Sequence, residues 1–374
     1  MKSILTLGNR ITGTSRGRIL LIVLLATGCN SQKGGTLLAR IDLRAFGYGF
    51  TDRNQIADAT ELSFLSEDRL TVSVNQLDDT ESSAPTSRDN PNANILVIDV
   101  QSGRVVARGS MPVGMSEGAV QGVSGLRLAV WNSNGLQVCA SNLRCGPTLA
   151  GPGPLSVSDA GTKIAFGGYG MSPIKVLDAE TLRDVASFGD PQGQNGFAYG
   201  GGVIPGDTAL LVRRGPSRFV IRRAGKPDKP MDFERGGSFA LSRFLNGETF
   251  VYVEQNSNEA IVADLDGREL HRYKLKRADR VGFLPTASGK RFGIYEYGFT
   301  FWNSLLNFFD FEETRPPDFQ RVGVIDISSG IAVARLEWDP RQGTLRHSVE
   351  PQLSPSGHRL ARVVAGALEI LQVN

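Results

Sequence analysis

The 374-residue chain reads as an all-β protein: a seven-bladed β-propeller of four-stranded blades, closed by pairing of an N-terminal strand with the C-terminal blade. Three observations predict it. An apolar strand, a short polar turn and a second apolar strand recur seven times, over Leu62–Val74, Val123–Trp131, Leu155–Phe166, Gly202–Val212, Phe239–Val253, Val281–Tyr295 and Gln352–Val364. Two copies continue into a second hairpin, turning at Gln101-Ser102-Gly103 between Ile95–Val100 and Arg104–Arg108, and at Ser328-Ser329-Gly330 between Gly323–Ile327 and Ile331–Leu336. The segment Gly34-Gly35-Thr36-Leu37-Leu38-Ala39-Arg40 follows the pattern of Ser102-Gly103-Arg104-Val105-Val106-Ala107-Arg108 and so reads as a fourth strand. The last copy stops at a third strand, Leu368–Val373, whose partner is missing. The two halves are expected to form one blade through Thr36–Leu43.

In chain order, residues 1–28 come first. They hold Lys2, Arg10, Arg16 and Arg18, no acidic residue, and then the apolar run Ile19–Ala26, which is the layout of a secretory signal peptide. An eight-residue apolar run is far short of the ~20 residues that a membrane-spanning helix needs. Ala26-Thr27-Gly28-Cys29 resembles the bacterial lipobox, with Ala26 standing where that family usually has leucine. The resemblance covers the first 29 residues and implies cleavage before Cys29, diacylglycerol on its sulfur and an acylated amino group. It implies a lipid-anchored protein of the cell envelope whose only hold on the membrane is its acyl chains. Asn30 replaces the aspartate that retains such proteins at the inner membrane, so the outer membrane is expected, with the protein facing the periplasm or the surface. The chain then divides into a signal peptide (1–28), a short tether (29–35) and one propeller domain (36–374).

Without the signal segment, 37 basic residues face 38 acidic ones, so the chain is near neutral and offers no basic stripe for a nucleic acid. Cys139 and Cys145 flank five residues, a spacing that suits a hairpin-type disulfide in an oxidising compartment, and no CxxC redox pair exists. The turns Ser158-Asp159-Ala160-Gly161, Asn246-Gly247 and Ser354-Pro355-Ser356-Gly357 supply positive φ and local side-chain hydrogen bonds. Gly196–Gly202 lacks the strand-to-helix setting of a phosphate loop and reads as a connection. The fourth repeat is weak around Arg213–Phe233, with Lys226–Pro230 expected as its turn. With these features the chain resembles WD40-like and YVTN-like propellers over nearly its whole length after the signal, although the WD dipeptide is absent.

Two long insertions follow second strands and so share one face. Leu77–Ala93 is polar, with Asp78, Asp79, Glu81, Pro85 and Pro91, and reads as a surface loop. Gly298–Arg321 concentrates aromatic residues, and Phe301, Leu305, Phe308 together with Trp302, Leu306, Phe309 keep the spacing of one face of a short helix. That face either plugs the propeller's own channel or docks a partner. Aromatic anchors dominate many protein interfaces, and the neighbouring Asp310, Glu312, Glu313 and Asp318 disfavour anionic lipid. The candidate partner-binding residues are therefore Phe301, Trp302, Phe308, Phe309, Asp78 and Asp79, with a protein partner on this face.

No catalytic motif accompanies them. His271, His347 and His358 are not spaced as metal ligands, and HExxH, GxSxG and a Walker loop are missing, so no catalytic residue, metal or cofactor is assigned. Asp99, Asp178, Asp264 and Asp326 recur after third strands, a position that points to turn stabilisation. The function expected is non-catalytic binding or scaffolding. The alternatives are a periplasmic hydrolase or lactonase with a site at the channel mouth, which rests on fold analogy alone, and a role in outer-membrane protein assembly.

Overall fold

The computed structural model describes residues 35–46, 48, 60–76, 92–113, 120–132, 134–150, 155–158, 161–167, 174–188, 209–213, 218–223, 227, 229–232, 242–254, 258–276, 280–298, 319–338, 349–364 and 366–373. After β1 (Gly35–Asp42) the chain makes one short sheet after another, each of consecutive antiparallel strands. Blade 1 is β2 (Thr60–Ser66), β3 (Arg69–Gln76), β4 (Asn92–Asp99) and β5 (Val105–Pro112). Blade 2 is β6 (Val120–Val123), β7 (Arg127–Asn132) and β8 (Gly135–Ala140). Blade 3 is β9 (Leu155–Val157), β10 (Lys163–Gly167), β11 (Ile174–Asp178) and β12 (Asp184–Phe188). A small sheet follows, of β13 (Ala209–Arg213), β14 (Arg218–Arg223) and β15 (Lys229–Asp232).

Blade 4 is β16 (Ser242–Phe244), β17 (Thr249–Glu254), β18 (Glu259–Asp264) and β19 (Glu269–Lys274). Blade 5 is β20 (Arg280–Pro285), β21 (Arg291–Gly298), β22 (Phe319–Asp326) and β23 (Ala332–Trp338). Blade 6 takes β24 (Gln352–Leu353), β25 (Arg359–Val364) and β26 (Ala367–Val373) from the end of the chain and β1 from its beginning, with Thr36 opposite Gln372 and Asp42 opposite Ala367.

The sequence pattern sorts these strands by depth. Third strands are buried on both faces and read as near-continuous apolar runs, as in Asn92–Asp99 and Glu259–Asp264. Fourth strands cover one face only, so β5 alternates half-buried and exposed side chains along its whole length. Innermost strands of neighbouring blades touch, joining blades 4, 5, 6, 1, 2 and 3 in that spatial order.

This arc corrects the expectation of seven four-stranded blades in a closed ring. Six blades are joined, one of them three-stranded, and among the described residues no comparable inner-strand contact ties β13–β15 to blade 3 or to blade 4. The physical reason lies in the fourth repeat itself, where Pro216, Pro227 and Pro230 and a run of basic residues break the apolar alternation and leave three short strands. Pro230, expected in a turn, pairs with Val220 inside β15, an edge strand where a missing N–H is tolerated.

Side chains seal the seams between blades. Ser63 Oγ accepts a hydrogen bond from Gly122 N at 2.7 Å, Glu61 Oε2 from Val120 N at 3.1 Å and Gln121 Oε1 from Val157 N at 3.0 Å. The turns between first and second strands lock together as well. Ser288 N donates to Pro355 O at 2.9 Å, Ser356 N to Glu67 Oε1 at 2.5 Å, and Ser124 N to Gly161 O at 2.9 Å. Gly161 sits at φ 67°, and a Cβ there would lie 2.6 Å from Ser124 N, so both its conformation and the close approach require glycine. These turns and those between third and fourth strands define the lower end of the sheets. The joins between second and third strands define the upper end.

Two devices repeat at the lower end. In each of the five four-stranded sheets one residue of the outer strand is skipped in the pairing: Leu38, Val106, Val185, Leu270 and Val333. Such bulges twist an exposed edge away from association with other strands. An aspartate also closes the turn after the third strand in blades 1, 3, 4 and 5. Asp99 accepts from Ser102 N at 2.9 Å, Asp178 from Thr181 N at 3.0 Å, Asp264 from Arg268 N at 2.8 Å and Asp326 from Ser329 N at 2.9 Å. Hydrogen bonds to the backbone and hydroxyls of these turns hold Asp99, Asp178 and Asp326 down at about 2; Lys163 beside Asp178 and Arg69 beside Asp99 add to the effect.

Blade 2 lacks a regular fourth strand, and a disulfide takes over its edge. Cys139 and Cys145 are bonded, and the chain between them returns along β8 through Ala140 N to Arg144 O and Gly146 N to Val138 O. Leu136 and Leu149 then exchange hydrogen bonds in both directions, so residues beyond the bridge cover the strand.

Cys139→Ser is therefore expected to destabilise the protein by about 2 kcal/mol in a denaturant titration, the size of a short closed loop's entropy. The aspartate turns set a second expectation. Their folded pKa values lie below the unfolded ~3.9, so the stability they contribute is complete above about pH 5 and disappears as pH falls toward 2. Melting followed by circular dichroism should show Tm dropping over that interval, and Asp178→Asn with Asp326→Asn, which keep an acceptor but do not titrate, should make the drop shallower.

Candidate functional site

The strand ends that bound the two insertions, Gln76 with Asn92 and Gly298 with Phe319, are at the upper end. Asp78, Asp79, Phe301, Trp302, Phe308 and Phe309 lie outside the described residues, as does Cys29. What the structure does describe is the strands that bound the aromatic insertion in sequence, which form a polar and aromatic seam between blades 5 and 6.

Alternation along β21 places Tyr295 and Tyr297 on one face, and the register sets Gln320 of β22 and then Trp338 of β23 beside Tyr297. Tyr295 stacks on Tyr297 with centroids 5.4 Å apart, and on Trp338 at 6.4 Å with planes within 11°. The indole Nε1 donates to Gln320 Oε1 at 2.5 Å, so the buried ring keeps its polar edge satisfied.

Blade 6 faces this aromatic layer with charge. Arg362, opposite Glu369 in the β25–β26 pairing, puts its guanidinium 4.6 Å from the centroid of the Trp338 ring, within cation–π range. Its Nε and Nη2 donate to Glu369 Oε2 at 2.9 and 2.8 Å, and both side chains are buried. Arg40 of β1 adds a second cation 3.8 Å from Glu369 Oε1. A buried pair of this kind needs its full set of partners, because either charge left alone would face a desolvation penalty without compensation. Arg362 Nη1 is buried without a hydrogen-bond partner in the structure.

On the other face of blade 5, Glu296 is buried and accepts from Arg321 Nε at 2.5 Å, while Glu337 pairs with Lys276 of blade 4 at 3.1 Å. Charged groups thus stitch blade 5 to both neighbours at the upper end. Such an arrangement can hold and orient a surface element. Among the described residues no group of three or more His, Cys, Asp or Glu side chains could hold a metal ion. Among them also, no helix is long and apolar enough to cross a membrane.

His271 and His358 both serve seams: His271 Nε2 lies 3.1 Å from Ile327 O, and His358 Nδ1 lies 3.1 Å from Arg291 Nη1. His347 lies outside the described residues. Sequence reasoning did not single out Tyr295, Tyr297, Trp338, Arg362 or Glu369. Two of them carried a signal, since Arg362 and Glu369 interrupt the otherwise apolar runs Leu360–Val364 and Ala367–Leu371.

No protein-family profile matches the chain, and no curated protein matches it significantly. Solved structures do resemble it. Raptor from Chaetomium thermophilum matches 92% of this chain at TM-score 0.56 and 10% identity, and the chain spans 29% of that protein. The C-terminal WD40 domain of Sif2 matches 91% of this chain and 99% of its own length at TM-score 0.53 and 10% identity. Streptogramin B lyase matches 85% of this chain and 94% of its own at TM-score 0.49 and 13% identity. With the strand order above, the likeness to the Sif2 domain makes the fold a WD40-like β-propeller.

The buried pair at the seam gives a double-mutant test. Arg362→Met alone leaves Glu369 charged and buried, and is expected to cost about 3 kcal/mol in urea unfolding; adding Glu369→Leu should recover most of that loss.

Proposed function

We propose that this protein is a lipid-anchored propeller of the cell envelope that binds a protein partner without covalent chemistry, through the upper end of its blades. The observation that supports the reading is that the strands bounding both long joins end at the same end of the sheets, those bounding the more aromatic join belonging to the charge-stitched seam of blades 5 and 6. Rigid anchoring lowers the ordering cost that a binding loop meets on association. The polar side chains of the innermost strands fit the same reading, because Glu61, Ser63 and Gln121 bond to backbone N–H groups of the next blade. WD40-like propellers commonly bind proteins, which agrees with a scaffold role. The lipid anchor and envelope location rest on the signal layout and on Cys29.

In-cell photocrosslinking tests this. A crosslinker at Asp78 or Glu312 is expected to give discrete protein adducts that a crosslinker at Ser141, in the disulfide loop, does not. Trp302→Ala with Phe309→Ala should reduce those adducts at least fivefold while the melting temperature is kept. Unchanged adducts from a folded double variant would reject the aromatic surface.

A further inference from the structure

Among the described residues the exposed large apolar side chains are all at one end. Among the described residues the large hydrophobics open to solvent are Leu37, Leu38, Val106, Leu126, Val185, Leu270 and Ile331. Leu38, Val106, Val185 and Leu270 are bulge residues in the lower halves of outer strands, Ile331 directly precedes β23, and Leu126 is in the turn between β6 and β7. Single exposed apolar residues are ordinary on a protein surface, but this distribution is one-sided.

The most exposed of them bracket β1. Leu37 is 51% accessible, Val106 in blade 1 is 50% and Ile331 in blade 5 is 64%. Blades 5 and 1 flank the split blade directly: a Cβ on Gly35 would meet Leu336 Cδ2 at 2.9 Å, and one on Gly103 would meet Ala39 Cβ at 3.4 Å.

β1 begins at this same end, since Gly35 pairs with Val373 and the strand runs upward to Asp42. Five residues separate Cys29 from Gly35, and the six backbone steps between them reach at most about 20 Å. Ion pairs at this end include Arg69 with Asp99, Lys163 with Asp178 at 3.2 Å and Arg359 with Asp68 at 3.1 Å.

We infer that the lower rim around β1, formed by Leu37, Leu38, Val106 and Ile331, lies against the lipid surface, so that the upper end faces away from the membrane. The inference rests on acylation of Cys29. A short tether confines this rim to the headgroup region, and the apolar side chains gain by leaving water there. Arg69, Lys163 and Arg359 at this end already have carboxylate partners, so anionic lipid contributes little to the contact.

The test uses the full-length protein, processed in cells and reconstituted in vesicles of phosphatidylethanolamine and phosphatidylglycerol that contain headgroup nitroxide lipid. Fluorophores go on Val106→Cys and Ile331→Cys, and for comparison on Ser110→Cys and Glu337→Cys, farther up the same strands; the bonded Cys139 and Cys145 stay unlabelled. Quenching at 106 and 331 should exceed that at 110 and 337 at least twofold, with or without phosphatidylglycerol. Leu37→Asp, Val106→Asp and Ile331→Asp together should abolish the difference seen from a label at Leu38→Cys while vesicle flotation persists. Equal or reversed quenching with flotation intact overturns the orientation alone. Labels at 106 and 331 that report on a second copy rather than on lipid overturn it in favour of self-association. Loss of flotation together with an unacylated Cys29 peptide by mass spectrometry refutes the anchor, and the orientation with it.

Discussion

At its innermost strand every blade presents backbone N–H groups with no further strand of its own sheet beyond them, and the protein holds together because a neighbouring blade supplies acceptors. Ser63, Glu61 and Gln121 do this between blades 1, 2 and 3, and interlocked turns continue it through Ser124, Ser288 and Ser356. A sheet of three or four short strands cannot bury both of its faces alone, so the dry seams and their hydrogen bonds are one condition. Where the condition fails in the described chain, at β13–β15, the arc of joined blades stops on both sides.

The hairpins of the six blades could be read in the sequence because each is local: two apolar segments and a turn within about twenty residues carry their own signal. The recurring aspartates could be read for the same reason, since each acts on residues two to four positions ahead. The fourth repeat could not, because prolines and arginines obscure its strand pattern and Pro230 is a turn signal that here occupies an edge strand. The absence of a regular fourth strand in blade 2 was equally hidden, since a segment held by a disulfide and a few backbone bonds has no periodicity to detect.

The seam residues were obscured by distance in sequence. Trp338, Arg362 and Glu369 become partners only when two blades pack, and no spacing rule links a tryptophan in one repeat to an arginine in the next. Charge within an apolar strand is the trace such partners leave, and here it marks the end of the blades that carries the long joins. The polar residues therefore fall into two classes. Those lining inner strands satisfy backbone groups, while those at the upper seam join blade 5 to blades 4 and 6.

Blade 6 has a consequence for biogenesis. Its outer strand is made first and its other three strands last, so β1 must wait through the synthesis of some three hundred residues before its partner exists. Pairing of such high sequence separation is slow, and until it occurs β26 presents an unpaired edge. Completion of the final sheet therefore depends on the last residues made: a product truncated before β26 leaves β1 without its partner strand.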